Sequence, residues 1–244
     1  MVFAHGYGCD QAMWRAVAPA FEAEYKVVLF DQVGLGGSDH SRYDFDKYGT
    51  LQGYASDVLE ICDELALADA IFVGHSIGAT IGMLAAIRSP RTFAKLALVA
   101  PSPCFINDEG YTGGFSRSDI DDLLALLDSN YLGWSSTMAP VIMGNPDRPE
   151  LASELTTSFC RSDPEIAKHF ASVTFLSDVR AELRLLVQPA LVLQCSEDPI
   201  APRAVGEYMH ARLPDSRLVL IDTDGHCPHM SAPAETIAAI KAFL

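Results

Sequence analysis

Gly74-His75-Ser76-Ile77-Gly78 reads G-x-S-x-G, and no other stretch of the chain is as informative about its architecture. It follows the apolar run Ala70-Ile71-Phe72-Val73, which is typical of a buried strand, and it precedes a helix-type stretch from Ala79 to Arg88. A serine between a buried strand and a helix is characteristic of a nucleophile elbow. The small residues two positions before and after the serine allow the sharp turn without a Cβ clash. We therefore predict that Ser76 is a nucleophile.

Two later stretches provide an acid and a base in the chain order Ser, acid, His that such an elbow requires. The strand-type run from Pro189 to Cys195 is followed by Asp198, and the strand-type run from Ser216 to Ile221 is followed by His226. Ligands of open parallel sheets bind outside the carboxyl ends of the strands, where all of these side chains are expected. The sequence therefore predicts a catalytic triad of Ser76, Asp198 and His226.

Other interpretations of these residues are open at this point. Glu197 and Asp224 are neighbouring carboxylates that could replace Asp198 as the acid. His226 and His229 stand three apart and could hold a metal ion, but the proline between them breaks the helix that would align them, and no further cluster has zinc-like spacing. We predict no metal.

A glycine-rich stretch, Gly34-Leu35-Gly36-Gly37-Ser38-Asp39, follows the strand-type run Val27 to Asp31. It resembles a dinucleotide-binding fingerprint, but its sixth position is aspartate and no helix follows directly, so the fingerprint fails. We expect no cofactor.

The chain opens with a short strand that leads into an H-G-x-G loop, His5-Gly6-Tyr7-Gly8. An oxyanion hole in this architecture combines an amide of such an early loop with the amide of the residue after the nucleophile. We predict that the amides of Tyr7 and Ile77 form the oxyanion hole.

Composition excludes several classes of partner. Seventeen basic residues against 32 acidic ones give a formal charge of −15, which disfavours nucleic acid and anionic membranes. No apolar run approaches the length of a membrane span, and no charged-then-apolar leader precedes the first strand. Six cysteines without framework spacing indicate free thiols in a reducing cytoplasm.

Strand and helix patterns alternate along most of the chain, which favours an α/β fold with a mostly parallel sheet flanked by helices. We predict strands near Val2, Val27–Phe30, Ala70–Val73, Leu96–Ala100, Ala190–Leu193 and Leu218–Ile221. The predicted helices lie near Gln11–Ala23, Leu51–Leu65, Ala79–Arg88, Arg203–Arg212 and Ala234–Phe243.

The alternation stops between Pro101 and Val187, where four helical segments follow one another. They lie near Ser118–Leu127, Trp134–Ile142, Glu150–Phe159 and Glu165–Phe175. We predict a core of residues 1–101 and 188–244 and a helical lid of residues 102–187. A small lid must turn an apolar face to the core, so we expect substrate contacts from Phe105, Trp134, Met138 and Phe175 of the lid. Tyr7 of the early loop is expected to contact substrate as well.

Across nearly its whole length the chain resembles the α/β-hydrolases, and within them the branch of the bacterial RsbQ stress regulator and the plant strigolactone and karrikin receptors. RsbQ is the nearest resemblance. The shared motifs are Gly6-Tyr7-Gly8-Cys9-Asp10-Gln11 with Trp14, Gly74 to Ala79, Pro101-Ser102-Pro103-Cys104 with Asn107-Asp108, Gly113-Gly114-Phe115, Asn130-Tyr131 with Trp134, Ser177-Asp178-Val179-Arg180, and Gly225 to Ser231.

The resemblance implies an α/β-hydrolase fold, a triad with Asp198 as its acid, and an apolar pocket under a four-helix lid. It implies slow hydrolysis of a small apolar ester or lactone-like ligand, linked to stress signalling through a protein partner at the lid. The alternative is a ligand-gated regulator in which hydrolysis is incidental.

Two positions depart from the family. Tyr7 stands where the family usually has phenylalanine, which adds a hydroxyl to the expected pocket. The chain begins at the strand that corresponds to the family's third, so we expect Val27–Phe30 to form an unprotected sheet edge. A start further upstream and a shortened version are both open.

Overall fold

A computed structural model describes all 244 residues. Its centre is one sheet of six parallel strands in the order β2-β1-β3-β4-β5-β6. The strands are β1 (Val2–Ala4), β2 (Val28–Leu29), β3 (Ala70–His75), β4 (Phe93–Val99), β5 (Ala190–Glu197) and β6 (Ser216–Asp224). Each predicted strand is present, and the α/β-hydrolase fold is confirmed.

Helices cover both faces of the sheet. Those of the alternating part are α1 (Leu51–Glu64), α2 (Ile77–Arg88), α7 (Arg203–His210), the short α8 (Pro228–Ser231) and α9 (Pro233–Phe243). Ten of the twelve residues of α2 are buried, because this helix lies in the centre of the molecule behind the nucleophile turn. α8 was not predicted from the sequence.

The helix predicted over Gln11–Ala23 is wrong. Two short 3₁₀ helices, Gln11–Trp14 and Ala18–Phe21, occupy this segment instead. Pro19 has no amide hydrogen to donate and disfavours helical backbone in the residue before it, which favours a break in this segment, and Pro19 lies in the first turn of the second short helix. The apolar residues that suggested a helix still contribute to the hydrophobic core, since Trp14 and Phe21 both pack against the ring of Phe3.

Four helices lie between β4 and β5: α3 (Arg117–Ser129), α4 (Tyr131–Met143), α5 (Pro149–Phe159) and α6 (Pro164–Phe175). Side chains cap three of them, with Ser116 in a capping box, Asn130 before α4 and Asp163 before α6. An antiparallel bridge between Cys104 and Asp178 joins the two ends of this insertion. We call α3–α6 the inserted helices.

The sheet ends at β2, which pairs only with β1. An open groove of about 1130 Å³ runs along this edge between β2 and α1. It is the largest depression in the molecule, but Ser76, Asp198 and His226 do not line it. The expectation that this strand forms a sheet edge agrees with the strand order.

All six cysteines are free thiols, and five of them are buried. None of the helices has the length and apolar character needed to cross a bilayer.

Candidate active site

Ser76 lies on a strained turn between β3 and α2, with φ 53° and ψ −125°. Two glycines make this turn possible by close approach. A Cβ on Gly74 would lie 2.6 Å from the Cα of Ala79, and one on Gly78 would lie 2.3 Å from the carbonyl oxygen of His5. Both contacts are with backbone, so larger residues cannot be accommodated by a side-chain shift. The G-x-S-x-G spacing therefore follows directly from the packing of the turn.

One chain of hydrogen bonds joins the three residues that the sequence predicted as nucleophile, base and acid. The Oγ of Ser76 lies 2.7 Å from Nε2 of His226, and Nδ1 of His226 lies 2.7 Å from Oδ2 of Asp198. All three residues are buried. With the imidazole proton on Nδ1, His226 donates to the carboxylate and accepts from the serine hydroxyl. The residues come from the ends of β3, β5 and β6, although 150 positions separate Ser76 from His226.

The carboxylate of Asp198 is held by its own loop. Its Oδ1 accepts from the amides of Ile200 and Ala201 at 2.8 and 3.0 Å, which leaves Oδ2 for the imidazole. The two other candidate acids, Glu197 and Asp224, are exposed and form no side-chain bond to His226. Only Asp198 has the geometry of the acid.

Further contacts of His226 fix its loop. Nε2 of His75 donates to the carbonyl of His226 at 2.8 Å, and the amide of His226 donates to the carbonyl of Ile142 in α4 at 2.8 Å. The first contact joins the nucleophile turn to the histidine loop, and the second joins that loop to an inserted helix. The sequence analysis missed both links, because no local pattern reports a contact across 151 positions.

Two amides are available for an oxyanion. The amide of Tyr7 donates to no carbonyl or side chain of the protein. Ile77 is the first residue of α2, so its amide precedes the first intrahelical bond. Both positions agree with the donors that the sequence predicted.

A narrow cavity of about 30 Å³ adjoins Ser76 and His226. All five side chains predicted to contact substrate line it: Tyr7, Phe105, Trp134, Met138 and Phe175. Twelve of its sixteen lining residues are hydrophobic, and none is lysine or arginine. The space is about the volume of one water molecule, so an ester can bind only when side chains or inserted helices move.

Tyr7 connects the early loop to the inserted helices. Its hydroxyl donates to the carbonyl of Ala167 in α6 at 3.1 Å, and its ring packs against Trp134, Phe159 and Phe170. Burial raises the pKa of this phenol well above its usual value, so it remains a neutral donor. The sequence suggested a hydroxyl in the pocket but not this tether.

One buried cluster could hold a metal ion. Donor atoms of His75, Cys227 and His229 lie within 4.8 Å of one another. Burial lowers the pKa of His75 well below its usual value and that of His229 to about 3, so both imidazoles are neutral. His226, which the sequence offered with His229 as an alternative pair of ligands, is not part of this cluster, because its two ring nitrogens are hydrogen-bonded to Ser76 and Asp198.

The glycine-rich loop after β2 folds around a carboxylate. Asp31 accepts hydrogen bonds from the amides of Gly37 and Gln11 at 2.8 and 2.7 Å, and from the Gln11 side chain at 3.1 Å. These bonds account for the loop without a nucleotide.

Comparison with known proteins identifies the family. The sequence pattern of the Alpha/beta hydrolase family matches residues 1–240. The chain is 40% identical to a probable esterase of Oryza sativa, over 96% of this chain and 86% of that protein. It is 37% identical to the karrikin insensitive 2 receptor CA of Petunia hybrida, over 98% and 89% of the two chains, and 37% identical to a strigolactone esterase of Arabidopsis thaliana, over 100% and 91%.

A solved structure is also close. A hydrolase from Oleispira antarctica superposes with a TM-score of 0.96 at 41% identity, over 99% of this chain and 89% of the other. The predicted resemblance to hydrolases and to the plant receptors is thereby confirmed. The prediction that the chain is an enzyme of the hydrolase type is confirmed as well.

Proposed function

This chain belongs to the Alpha/beta hydrolase family, and from that premise we propose that it is a serine hydrolase of small, apolar carboxylic esters or lactone-like ligands. The observation that carries the proposal is the hydrogen-bonded chain from Ser76 through His226 to Asp198, at 2.7 Å for each bond. The hydrophobic cavity beside Ser76, without lysine or arginine, supports an uncharged acyl group.

The proposed reaction follows from this geometry. Ser76 attacks the carbonyl carbon while Nε2 of His226 takes the hydroxyl proton, and the amides of Tyr7 and Ile77 stabilise the oxyanion. His226 then gives the proton to the leaving oxygen as the bond from that oxygen to the acyl carbon breaks. Water then attacks the acyl carbon while Nε2 of His226 takes one of its protons. The bond from the acyl carbon to the Oγ of Ser76 breaks, His226 returns the proton to Ser76, and the carboxylic acid is released. Asp198 keeps the imidazole in the required tautomer.

Residues 102–187, which contain the inserted helices, form the proposed lid over residues 1–101 and 188–244. Two bonds that join this segment to the core support the assignment, from Tyr7 to Ala167 and from His226 to Ile142. The small cavity supports it as well, because about 30 Å³ leaves no room for a substrate beside Ser76 while the lid keeps its present packing.

Substitution of the nucleophile tests the proposal. Ser76→Ala should abolish hydrolysis of para-nitrophenyl acetate while circular dichroism and thermal unfolding remain those of the unmodified protein. Ser196→Ala is the matched control, since Ser196 lies on β5 outside the cavity. A folded Ser76→Ala protein that keeps more than a few per cent of the activity would contradict the role of Ser76.

A second candidate function is ligand-gated signalling, close to the bacterial RsbQ regulator and connected to stress responses. The petunia relative is named as a receptor, which favours this alternative. Leu126, Leu132 and Val141 expose about half of their surface on α3 and α4, and they are the proposed docking area for a signalling protein. The six free thiols fit a reducing cytoplasm.

Kinetics can separate the two functions. A regulator should release acyl product slowly, so that a burst of one equivalent of nitrophenol precedes a much slower steady state, and ligand should change hydrogen exchange in α3–α6. Rapid turnover without a burst, together with an unchanged stress response after gene deletion in the host, would contradict the signalling alternative.

A further inference from the structure

Thr174 is a polar residue of the cavity wall outside the reaction centre, and, unlike the Tyr7 hydroxyl, its hydroxyl is not tied to the main chain. Four of the sixteen lining residues are not hydrophobic, and the other three are His75, Ser76 and His226. Thr174 lies in the last turn of α6, and only 1% of its surface is exposed. Thr174 therefore adds a second hydroxyl-bearing side chain, besides Tyr7, to a mostly apolar wall.

The hydroxyl of Thr174 has no hydrogen-bond partner in the protein. Buried hydroxyl groups in helices ordinarily donate to the carbonyl four residues earlier. Ser172 does so on the same helix, donating to Lys168, and the buried Thr236 donates to Ala232 in α9. Thr174 makes no such bond, although the same kind of carbonyl precedes it.

An unpaired buried hydroxyl destabilises the folded protein, because it has lost its hydrogen bonds to water and gained none in return. A valine of nearly the same shape would avoid that cost, so the hydroxyl is explained if a bound ligand supplies its partner. In the proposed acyl-enzyme the acyl group stays attached to Ser76 inside the cavity, whereas the leaving group departs. The ligand atom that meets Thr174 therefore belongs to the acyl part.

We propose that Thr174 is a specificity-determining residue that donates a hydrogen bond to an ether or carbonyl oxygen in the acyl part of the substrate. The inference rests on the proposed hydrolase function and narrows its substrate class to oxygen-bearing acyl groups or lactone rings. Purely hydrocarbon acyl groups of the same size leave the hydroxyl unpaired and bind less well.

The test uses two esters of matched shape, para-nitrophenyl methoxyacetate and para-nitrophenyl butanoate. Thr174→Val should lower kcat/KM for the methoxyacetate about tenfold, the effect of one neutral buried hydrogen bond, and leave the butanoate unchanged or improved. Thr174→Ser should retain the preference, because the hydroxyl is kept. Thr236→Val is the matched control and should not change the ratio of the two esters. Since each variant is compared with the unmodified protein for each ester, the intrinsic reactivities cancel.

Binding to the Ser76→Ala protein gives a second readout that does not depend on turnover. Quenching of Trp134, which lines the cavity, should report a Kd for the methoxyacetate that rises about tenfold when Thr174→Val is added. If the protein hydrolyses both esters and Thr174→Val affects both equally, or affects neither, the assignment of Thr174 is overturned. The hydrolase function is not contradicted by that result. If the unmodified protein hydrolyses neither ester but Ser76→Ala still binds the methoxyacetate in a Thr174-dependent way, the hydrolase function fails and the ligand preference stands.

Discussion

The hydroxyl of Tyr7 donates a hydrogen bond of 3.1 Å to the main-chain carbonyl of Ala167, 160 positions later in the chain. Tyr7 belongs to the loop proposed to supply an oxyanion donor, and Ala167 belongs to α6 of the proposed lid. The bond therefore connects the loop with the proposed oxyanion donor directly to the proposed lid, which controls the access of substrate. A phenylalanine at this position would keep the ring contacts and lose the bond.

Tyr7→Phe should consequently loosen the lid. We expect faster hydrogen exchange in α6 and a several-fold gain in kcat/KM for butanoyl over acetyl esters, because about 1 kcal/mol that favours the closed state is lost. Tyr131→Phe is the matched control, since the Tyr131 hydroxyl donates to the carbonyl of Phe159 within the lid itself. Equal effects of both substitutions would show that the bond to Ala167 has no special role.

The acid can be identified with a pair of neighbouring substitutions. Asp198→Asn should reduce kcat about 10⁴-fold, as removal of the acid does in a well-studied triad, because the amide no longer holds the imidazole tautomer. Glu197→Gln should remain near the unmodified rate, since this side chain is exposed. The reverse order in steady-state assays would reassign the acid and leave Ser76 and His226 in place.

The rate of hydrolysis should depend strongly on the length of the acyl chain. The cavity of about 30 Å³ has to expand for any substrate, and the required displacement grows with the chain, so kcat/KM should fall from acetyl to octanoyl esters. Anionic acyl groups should react poorly, because the lining contains no lysine or arginine. A series of nitrophenyl esters measures both trends, and higher kcat/KM for octanoyl or succinyl esters would contradict a narrow apolar pocket.

Stability should fall at mildly acidic pH because of buried histidines. Burial lowers the pKa of His5, His75 and His229 in the folded protein, whereas an unfolded histidine titrates near pH 6.5. Below that pH the unfolded chain binds more protons than the folded one, so the free energy of unfolding decreases as pH falls, by about 1.4 kcal/mol per pH unit for each histidine.

Urea unfolding between pH 7.5 and 5.5 measures this slope. His229→Phe keeps an aromatic ring against Trp14 and should reduce this slope by about the contribution of one proton. The exposed His40 provides the control, and His40→Gln should leave the slope unchanged. A slope that does not respond to His229→Phe would contradict a neutral His229 in the folded protein.

The sequence by itself determined the architecture and the candidate reacting residues. The elbow at Ser76 was recognisable because its glycines are required by contacts within a few residues, and Asp198 and His226 because each follows a strand whose carboxyl end must lie at the same edge of a parallel sheet. The helix predicted over Gln11–Ala23 was wrong, because the apolar periodicity there belongs to two short 3₁₀ helices.

Only the tertiary structure decided which atoms meet across long separations. The choice of Asp198 over Glu197 became a geometric result when only Asp198 proved to be buried against His226. The tether from Tyr7 to Ala167 leaves no trace in local patterning, because it depends on how the inserted helices pack on the loop after β1. The unpaired hydroxyl of Thr174 was also visible only in the structure. Apolar periodicity specifies which face of a helix is buried, whereas a hydrogen bond depends on distances of a few tenths of an ångström that only the packed chain fixes.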